Sequence, residues 1–379
     1  MSVAHPVTTY TDRVERLRAA LHAQNLDAIL VTNPENRRYL SGFTGHDSGA
    51  DSAGALVITG DAVTLITDGR YIEQAATECP GLRVVKRDGQ FASTAATAIA
   101  EAGIDRLGFE ATHVTVALRD DLDAALAEKA GQGRVSLAAT RNLIEPLRAV
   151  KDGDEIAAIE RAVAITDETF TYLCGYLRPG LTEREVAHEI ERYMREQGAD
   201  GMAFAPIVAS GPNAALPHAV PTERAIQLGE PITIDMGARY NGYCADMTRT
   251  VCLGEPGPEA QAIYDAVLRA QEACEAELAP GMSGKAADAA AREVLEASGY
   301  GEQFLHSTGH GLGLEIHEDP RLSKHATEEQ KLEPGMAITI EPGVYVAGWG
   351  GVRIEDTAIV TADGIRVLTT SHKRFGLPR

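Results

Sequence analysis

At 379 residues the chain is longer than one hydrophobic core ordinarily organises, so two domains are expected. A formal charge of -20 sets it against nucleic-acid phosphates, and no apolar run approaches the roughly 18–20 residues that span a bilayer. The N-terminal stretch MSVAHPVTTYTDRVERL lacks the apolar core of a secretory signal, and Cys79, Cys174, Cys244, Cys252 and Cys274 are odd in number and scattered. That excludes a disulfide framework and a CxxC zinc site, and a reduced, cytoplasmic protein is expected.

Val14, Leu17 and Leu21 recur at helical spacing after Thr11 and Asp12, a candidate N-cap. LDAILVTN then reads as a buried strand stopped at Pro34. ALVIT and VTLITD are two short strands joined by Gly60-Asp61, a hairpin signal. RVVKR, RLGFE and RVSLAA are further strands, separated by alanine-rich helical stretches. Together these segments make an α/β unit ending near residue 148, followed by the linker RAVKDGDE. Beyond it Ile156, Ile159, Val163, Phe170 and Leu173 form one stripe of a long amphipathic helix.

The rest of the chain repeats itself. LRPGLTEREVAHEIERYMREQGAD begins at Leu177, and LAPGMSGKAADAAAREVLEASGYG begins at Leu278. They share Leu177/Leu278, Pro179/Pro280, Gly180/Gly281 and Gly198/Gly299, and Thr182 and Ser283 offer an N-cap at the same place. Each copy is followed by an apolar strand ending in a carboxylate, a turn, and a second strand with a carboxylate before Thr. Asp235 thus matches Glu341, and Asp246 matches Glu355.

Asn241-Gly242 is a type I′ hairpin signal. With those two residues as the loop, Tyr240 pairs with Tyr243, Gly237 with Asp246 and Asp235 with Thr248. Asp235 and Asp246 then lie on one sheet face, their Cβ atoms about 7 Å apart or less. In the second copy Glu341 lies on the face of Ala337 and Thr339, and Glu355 on that of Arg353. One such carboxylate is ordinarily a salt-bridge partner. Four on equivalent strands of a repeat point to a shared cation site, which one imidazole would complete. This set neutralises two divalent ions and leaves room for a shared hydroxide. Its oxygen-rich character suits Mn²⁺, with Co²⁺ or Zn²⁺ as alternatives, and two such ions acidify water and hold a carbonyl. A lone histidine beside a strand is more often structural, and His188, His325 and His372 are read so.

The motifs IDMGARYNGYCADMTRT, HSTGHGLGLEIHE, TIEPGVY and GVRIEDT resemble those of the pita-bread metallopeptidases: aminopeptidase P, prolidase and, further off, methionine aminopeptidase. The resemblance covers roughly residues 150–379, with every ligand position filled in order. NRRYLSGFTG and TDGRY resemble the smaller creatinase-like domain of the proline-directed members. The implied fold is α/β (α+β). Residues 1–148 would form an N-terminal α/β domain serving oligomerisation and capping of the site, and 149–379 a pseudo-two-fold pita-bread catalytic domain. The resemblance implies that Asp235 chelates one ion, that Asp246 and Glu355 bridge both, and that Glu341 and His310 hold the second. Glu341 would also be the general base, and glycines beside His310 would let the backbone pass close to the metals. His317 would polarise the substrate carbonyl and stabilise the oxyanion, and His218 would assist proton transfer at the scissile bond. Arg353 and His306 would support the site, Phe204, Pro206, His306 and Tyr345 would wall a proline pocket, and Tyr345, four residues after Glu341, would alternatively orient the site or simply pack.

The implied reaction is cleavage of an Xaa-Pro bond in small proline-containing peptides by a homodimer with no nucleic-acid or membrane partner. Proline's nitrogen carries no hydrogen, so the site must activate the carbonyl without a backbone N–H contact there. The short first unit favours aminopeptidase P over prolidase. Prolidase accepts only a dipeptide and needs a cation for its terminal carboxylate, for which Arg37, Arg38 and Arg70 are candidates. Some pita-bread domains are non-catalytic peptide-binding modules, and creatinase uses the fold without metal. The five intact ligand positions favour the enzyme.

Overall fold

The computed structural model describes residues 7–47, 52–131 and 134–377. The chain divides into two compact units, Met1–Arg148 and Ala149–Arg379.

In the first unit six strands pair in the order Arg83–Lys86, Val63–Thr67, Gly54–Thr59, Ala28–Val31, Arg106–Glu110 and Ser136–Thr140. The sheet buries Ala28, Leu30, Val57 and Ile66 against Ala95, Ile99 and Leu122 of the helices Phe91–Ala102 and Val116–Ala130. Two boundaries differ from the sequence reading. The first helix runs Val7–Ala23, so Thr11 and Asp12 lie inside it: no residue in 7–12 breaks a helix, and it extends past the polar pair. Pro34 opens a helix, Pro34–Ser41, whose N-cap Asn33 accepts from the Asn36 amide. Proline fits the first helical position because its missing N–H would have had no partner there.

The second unit is built twice. Helix Gly153–Tyr176 starts with a capping box of Asp152 and Glu155, and helix Glu183–Glu196 with one of Thr182 and Glu185. Helices Pro258–Glu277 and Gly284–Ala297 repeat the pair, Ser283 capping the second. Gly180 and Gly281 (φ 93° and 85°), and Gly198 and Gly299 (φ 93° and 84°), occupy matching left-handed positions that only glycine adopts cheaply. Thr182 bridges Ala225 and Ser283 bridges Lys331, an equivalence the repeat alone did not reveal. Each helix pair covers its own sheet. The first runs Gly376–Leu377, Met247–Leu253, Pro231–Met236, Ile207–Ser210, and the second runs Glu318–Leu322, Gly309–Gly311, Ala337–Ile340, Asp356–Val360, Ile365–Val367. The two larger apolar cores follow the same division: Ile190, Met194, Val208 and Ile234 belong to one, Val267, Leu295, Ile338 and Ile340 to the other.

All five cysteines are free, and all but Cys174 are buried. Among the described residues no helix is long and apolar enough to cross a membrane.

Candidate functional site

The first two carboxylates are placed by a hairpin. Asn241 and Gly242 take φ of 46° and 78°, Tyr240 pairs with Tyr243, and Asp235 pairs with Thr248. Gly237 lies where a Cβ would come 1.8 Å from the Ala245 carbonyl, so only glycine lets the chain pass. The register brings Asp235 and Asp246 to a common face, as a two-residue turn requires.

The second half adds three candidate donors, His310, Glu341 and Glu355. His310 sits in the short strand Gly309–Gly311, where a Cβ at Gly309 would lie 2.0 Å from Thr339 O and one at Gly311 2.1 Å from Asp319 O. The glycines of this stretch are therefore required by neighbouring main chain. Glu341 directly follows strand Ala337–Ile340, and Glu355 directly precedes strand Asp356–Val360.

Asp246, His310 and Glu355 each present a donor atom within 4.8 Å of the others. His310 Nε2 lies 3.3 Å from Glu341 Oε1 and 3.6 Å from Asp246 Oδ2. Its Nδ1 is 2.9 Å from the Gly311 carbonyl, and only an N–H satisfies a carbonyl, so the proton belongs on Nδ1. Nε2 then turns a lone pair toward two carboxylates. Arg353 Nη2 donates to Asp235 Oδ2 at 2.7 Å, and its Nε donates at 3.0 Å to Thr248 Oγ1, which donates to Glu355 Oε2 at 2.6 Å. Asp235 Oδ1 and Glu355 Oε1 are left buried without a hydrogen bond.

The electrostatics agree with the geometry. Burial, reinforced by Glu355, Asp235 and Glu341, raises the Asp246 carboxyl well above the usual range. Burial, then Glu341 and Asp235, raises Glu355 likewise, and burial pushes Glu341 up to about 7. Burial holds His310 down to about 3, so its ring stays neutral. Like charges crowded out of water, an unprotonated imidazole nitrogen and two orphaned oxygens all lack the same thing, a cation. The donor set of carboxylates and one imidazole fits divalent metal.

A cavity of about 450 Å³ opens over the cluster. Asp235, Asp246, His310, Glu341 and Glu355 line it together with His218, His306, His317, Arg353 and the apolar Phe204, Pro206, Ile207 and Ile316. His317 packs its ring edge to face on His310, centroids 4.4 Å apart. Tyr345, weighed as a wall of the proline pocket and as a residue that orients the site or packs, is not among the residues lining the cavity. It is buried behind the wall, accepting from Arg353 Nη1 at 2.7 Å and donating to His306 Nε2 at 2.8 Å, while His306 Nδ1 meets the Ser307 carbonyl. Arg37, weighed as a carboxylate clamp, is consumed inside the first unit by Gly45 O, Gly54 O and Asp47. Glu318, the carboxylate closing the HSTGHGLGLEIHE stretch, is no donor to the cluster. It accepts Lys151 Nζ at 3.0 Å and the Glu315 amide at 3.1 Å, tying down the loop that carries His317.

Two residues escaped the sequence reading. Thr248 joins Arg353 to Glu355, and its place opposite Asp235 in the hairpin was the available signal. Arg321 is exposed and lines the cavity, and its signal was a position four residues beyond His317.

Residues 157–362 match the Metallopeptidase family M24, and residues 13–150 match the Creatinase/Prolidase N-terminal domain. The chain is 36% identical over 366 residues to the Xaa-Pro dipeptidase of Pyrococcus furiosus, which spans 96% of this chain and 99% of that protein. The structure of an Xaa-Pro dipeptidase from Bacillus anthracis is similar with a TM-score of 0.90 and 41% identity, covering 97% of this chain and 99% of that one. That of an X-Pro aminopeptidase from Thermotoga maritima gives 0.85 and 35%, covering 96% and 100%. The two proteins named dipeptidases match this chain along its length, so a short first unit does not separate aminopeptidase from prolidase, and the preference drawn from it lapses. With the family's pattern matched across both units, the chain belongs to metallopeptidase family M24 and carries the family's creatinase/prolidase-type N-terminal domain.

Proposed function

We propose that the chain is an Xaa-Pro dipeptidase, hydrolysing the bond between a first residue and a C-terminal proline. Arg321 carries this reading. It is a cation on the cavity wall, exposed and without an ion-pair partner among the described residues, in a cavity that also holds the apolar Phe204, Pro206 and Ile207. A dipeptide presents its terminal carboxylate beside the proline ring, where a longer peptide presents an amide. The likeness to proteins named Xaa-Pro dipeptidases supports the same choice.

Asp235, Asp246, His310, Glu341 and Glu355 are the residues that would hold two divalent ions, Mn²⁺ by ligand type. Such ions supply Lewis acidity toward the carbonyl and a water acidic enough to attack near neutral pH. The chain's own groups do the rest. Glu341, its Oε1 held by the Thr339 hydroxyl at 3.1 Å, takes the proton of the attacking water. Burial lowers the pKa of His317, so a neutral ring faces the carbonyl and its N–H donates to the oxygen as negative charge develops. His218 enters the cavity from the Pro217–Pro221 loop and delivers a proton to the departing proline nitrogen, which has none of its own. Arg353, backed by Tyr345 and His306, keeps Asp235 Oδ2 occupied and leaves Oδ1, buried without a hydrogen bond, as the oxygen for a cation. A homodimer is part of this reading, and so is a cytoplasmic location, which the free thiols fit.

The test is a comparison of initial rates on Leu-Pro and Leu-Pro-Gly with added Mn²⁺. A kcat/KM at least about tenfold higher on the dipeptide, a difference of about 1.4 kcal/mol, is expected. The reverse order establishes the aminopeptidase, the activity named for the Thermotoga maritima relative. Inertness on both supports the non-catalytic module.

A further inference from the structure

We propose that Arg249 is a positioning residue for the metal cluster: it fixes the main chain of Glu355 and thereby sets metal affinity without touching an ion. The inference rests on Glu355 as a metal donor and does not depend on which peptide is cleaved.

Arg249 is 1% exposed, and a guanidinium is costly to bury unless its N–H groups are met; Nε finds no partner, so the two Nη groups carry the satisfaction. Here Nη1 donates to Glu355 O at 2.5 Å and to Thr248 O at 3.0 Å, while Nη2 donates to Asp356 Oδ1 at 2.6 Å and to Ser371 O at 2.8 Å. The Glu355 amide donates to the same Thr248 carbonyl at 3.0 Å, and the Thr248 hydroxyl holds Glu355 Oε2. Glu355 is therefore held at its amide, its carbonyl and one carboxylate oxygen. The atom left without a partner is Oε1, the one available to a cation. Thr248 and Arg249 also lie two and three residues beyond Asp246, so one side chain joins the two strands that begin directly after Asp246 and Glu355.

The anchor of this clamp comes from outside the cluster. Asp356, fully buried, balances the guanidinium and is itself met by Lys373 Nζ at 2.6 Å and Gln271 Nε2 at 3.0 Å. Ser371 O is placed because Asp167, on helix Gly153–Tyr176, accepts from the amides and hydroxyls of both Thr370 and Ser371. The C-terminal segment thus completes the metal site from behind, through a carbonyl.

The experiment measures Mn²⁺ affinity of the full chain, stripped of metal, by competition with a fluorescent chelator and with no peptide present. Arg249→Met should bind Mn²⁺ about tenfold or more weakly, the size found when groups that hold metal ligands are removed. Arg249→Lys, which keeps the charge and one donor direction, should recover part of the loss. In a Glu355→Gln background the same Arg249→Met change should cost less than about twofold more, because the ligand it serves is already impaired. A folded Arg249→Met protein with parental affinity overturns the proposal, and so does an undiminished loss in the Glu355→Gln background. Should Arg249→Met fail to fold, Asp167→Asn takes its place. An affinity reduced about threefold or more is then expected, through the Ser371 carbonyl alone, and parental affinity overturns the proposal. Since no substrate is used, failure of the dipeptide assignment would leave this result standing.

Discussion

Lys151 Nζ and Glu318 Oε2 meet at 3.0 Å with 1% and 6% of their side chains exposed. The pair stands at the foot of the loop that carries His317. Removing Lys151 takes from the buried Glu318 carboxylate the ammonium it meets at 3.0 Å, so Lys151→Met should destabilise the protein by about 3–5 kcal/mol. The double variant Lys151→Met/Glu318→Met should regain most of that. Urea denaturation with metal present reads both, and a single variant as stable as the parent would sink the prediction.

His310 and His317 touch but should fail differently. His310→Ala removes a donor whose lone pair faces Asp246 and Glu341, so metal content and turnover should fall together. His317→Ala leaves all five donors in place, and kcat should fall about 10²- to 10³-fold at full metal occupancy. Metal analysis beside steady-state kinetics separates them. Normal metal content in His310→Ala, or an unchanged kcat in His317→Ala, contradicts the roles given above.

Arg321→Met should raise KM for Leu-Pro about tenfold, or about 1.4 kcal/mol of binding, while changing little for Leu-Pro-Gly. Equal losses on both peptides would show that the guanidinium does not read the terminal carboxylate.

Without metal, Asp246, Glu341 and Glu355 keep their protons to higher pH than in the unfolded chain, Glu341 to about 7. A carboxyl so raised contributes stability that is complete below its unfolded value of about 4 and is lost as pH rises through the folded value. His306 and His310, held down to about 4 and about 3, act in the opposite sense, contributing above about 6.5 and losing that contribution as pH falls. The trends oppose each other between these limits, and above about 6.5 only the carboxyls still titrate. Chelated protein should therefore lose Tm as pH rises from about 6.5 through about 7, more steeply than metal-loaded protein, in which Glu275, also raised to about 7 by burial, still titrates. Asp246→Asn should flatten the slope of the chelated protein and abolish most of the gain from metal. A chelated protein with a level profile across this range would refute the electrostatic account.

Much of the site was readable because it depends on short-range rules. The Asn241-Gly242 turn and a period of two were enough to align Tyr240 with Tyr243 and Asp235 with Thr248. The matched caps Thr182 and Ser283 announced the duplication. What escaped was set by contacts far apart in sequence. Tyr345 could orient the site or merely pack as far as its spacing from Glu341 tells, because the convergence of Arg353 and His306 on its hydroxyl is encoded in no local pattern. Arg321 lies beyond an irregularity in the register between His310 and Gly311, so counting residues from His310 does not tell which way it faces. Arg249 reads as an ordinary strand residue until Ser371, more than a hundred positions away, is folded against it. At Pro34 a stop signal for one element was the start of the next.

The loop of the Asn241-Gly242 hairpin is even in length, and that parity matters more than its sequence. Inserting or deleting a single residue there would shift the returning strand by one step and turn each of its side chains through the sheet. Asp246 would then face away from Asp235, and Thr248 away from Glu355, with no ligand having been mutated. The chemistry of the chain is in that sense counted as well as encoded: loops of unchanged length can vary in composition, whereas a one-codon indel at this corner should be as damaging as the loss of a metal ligand itself.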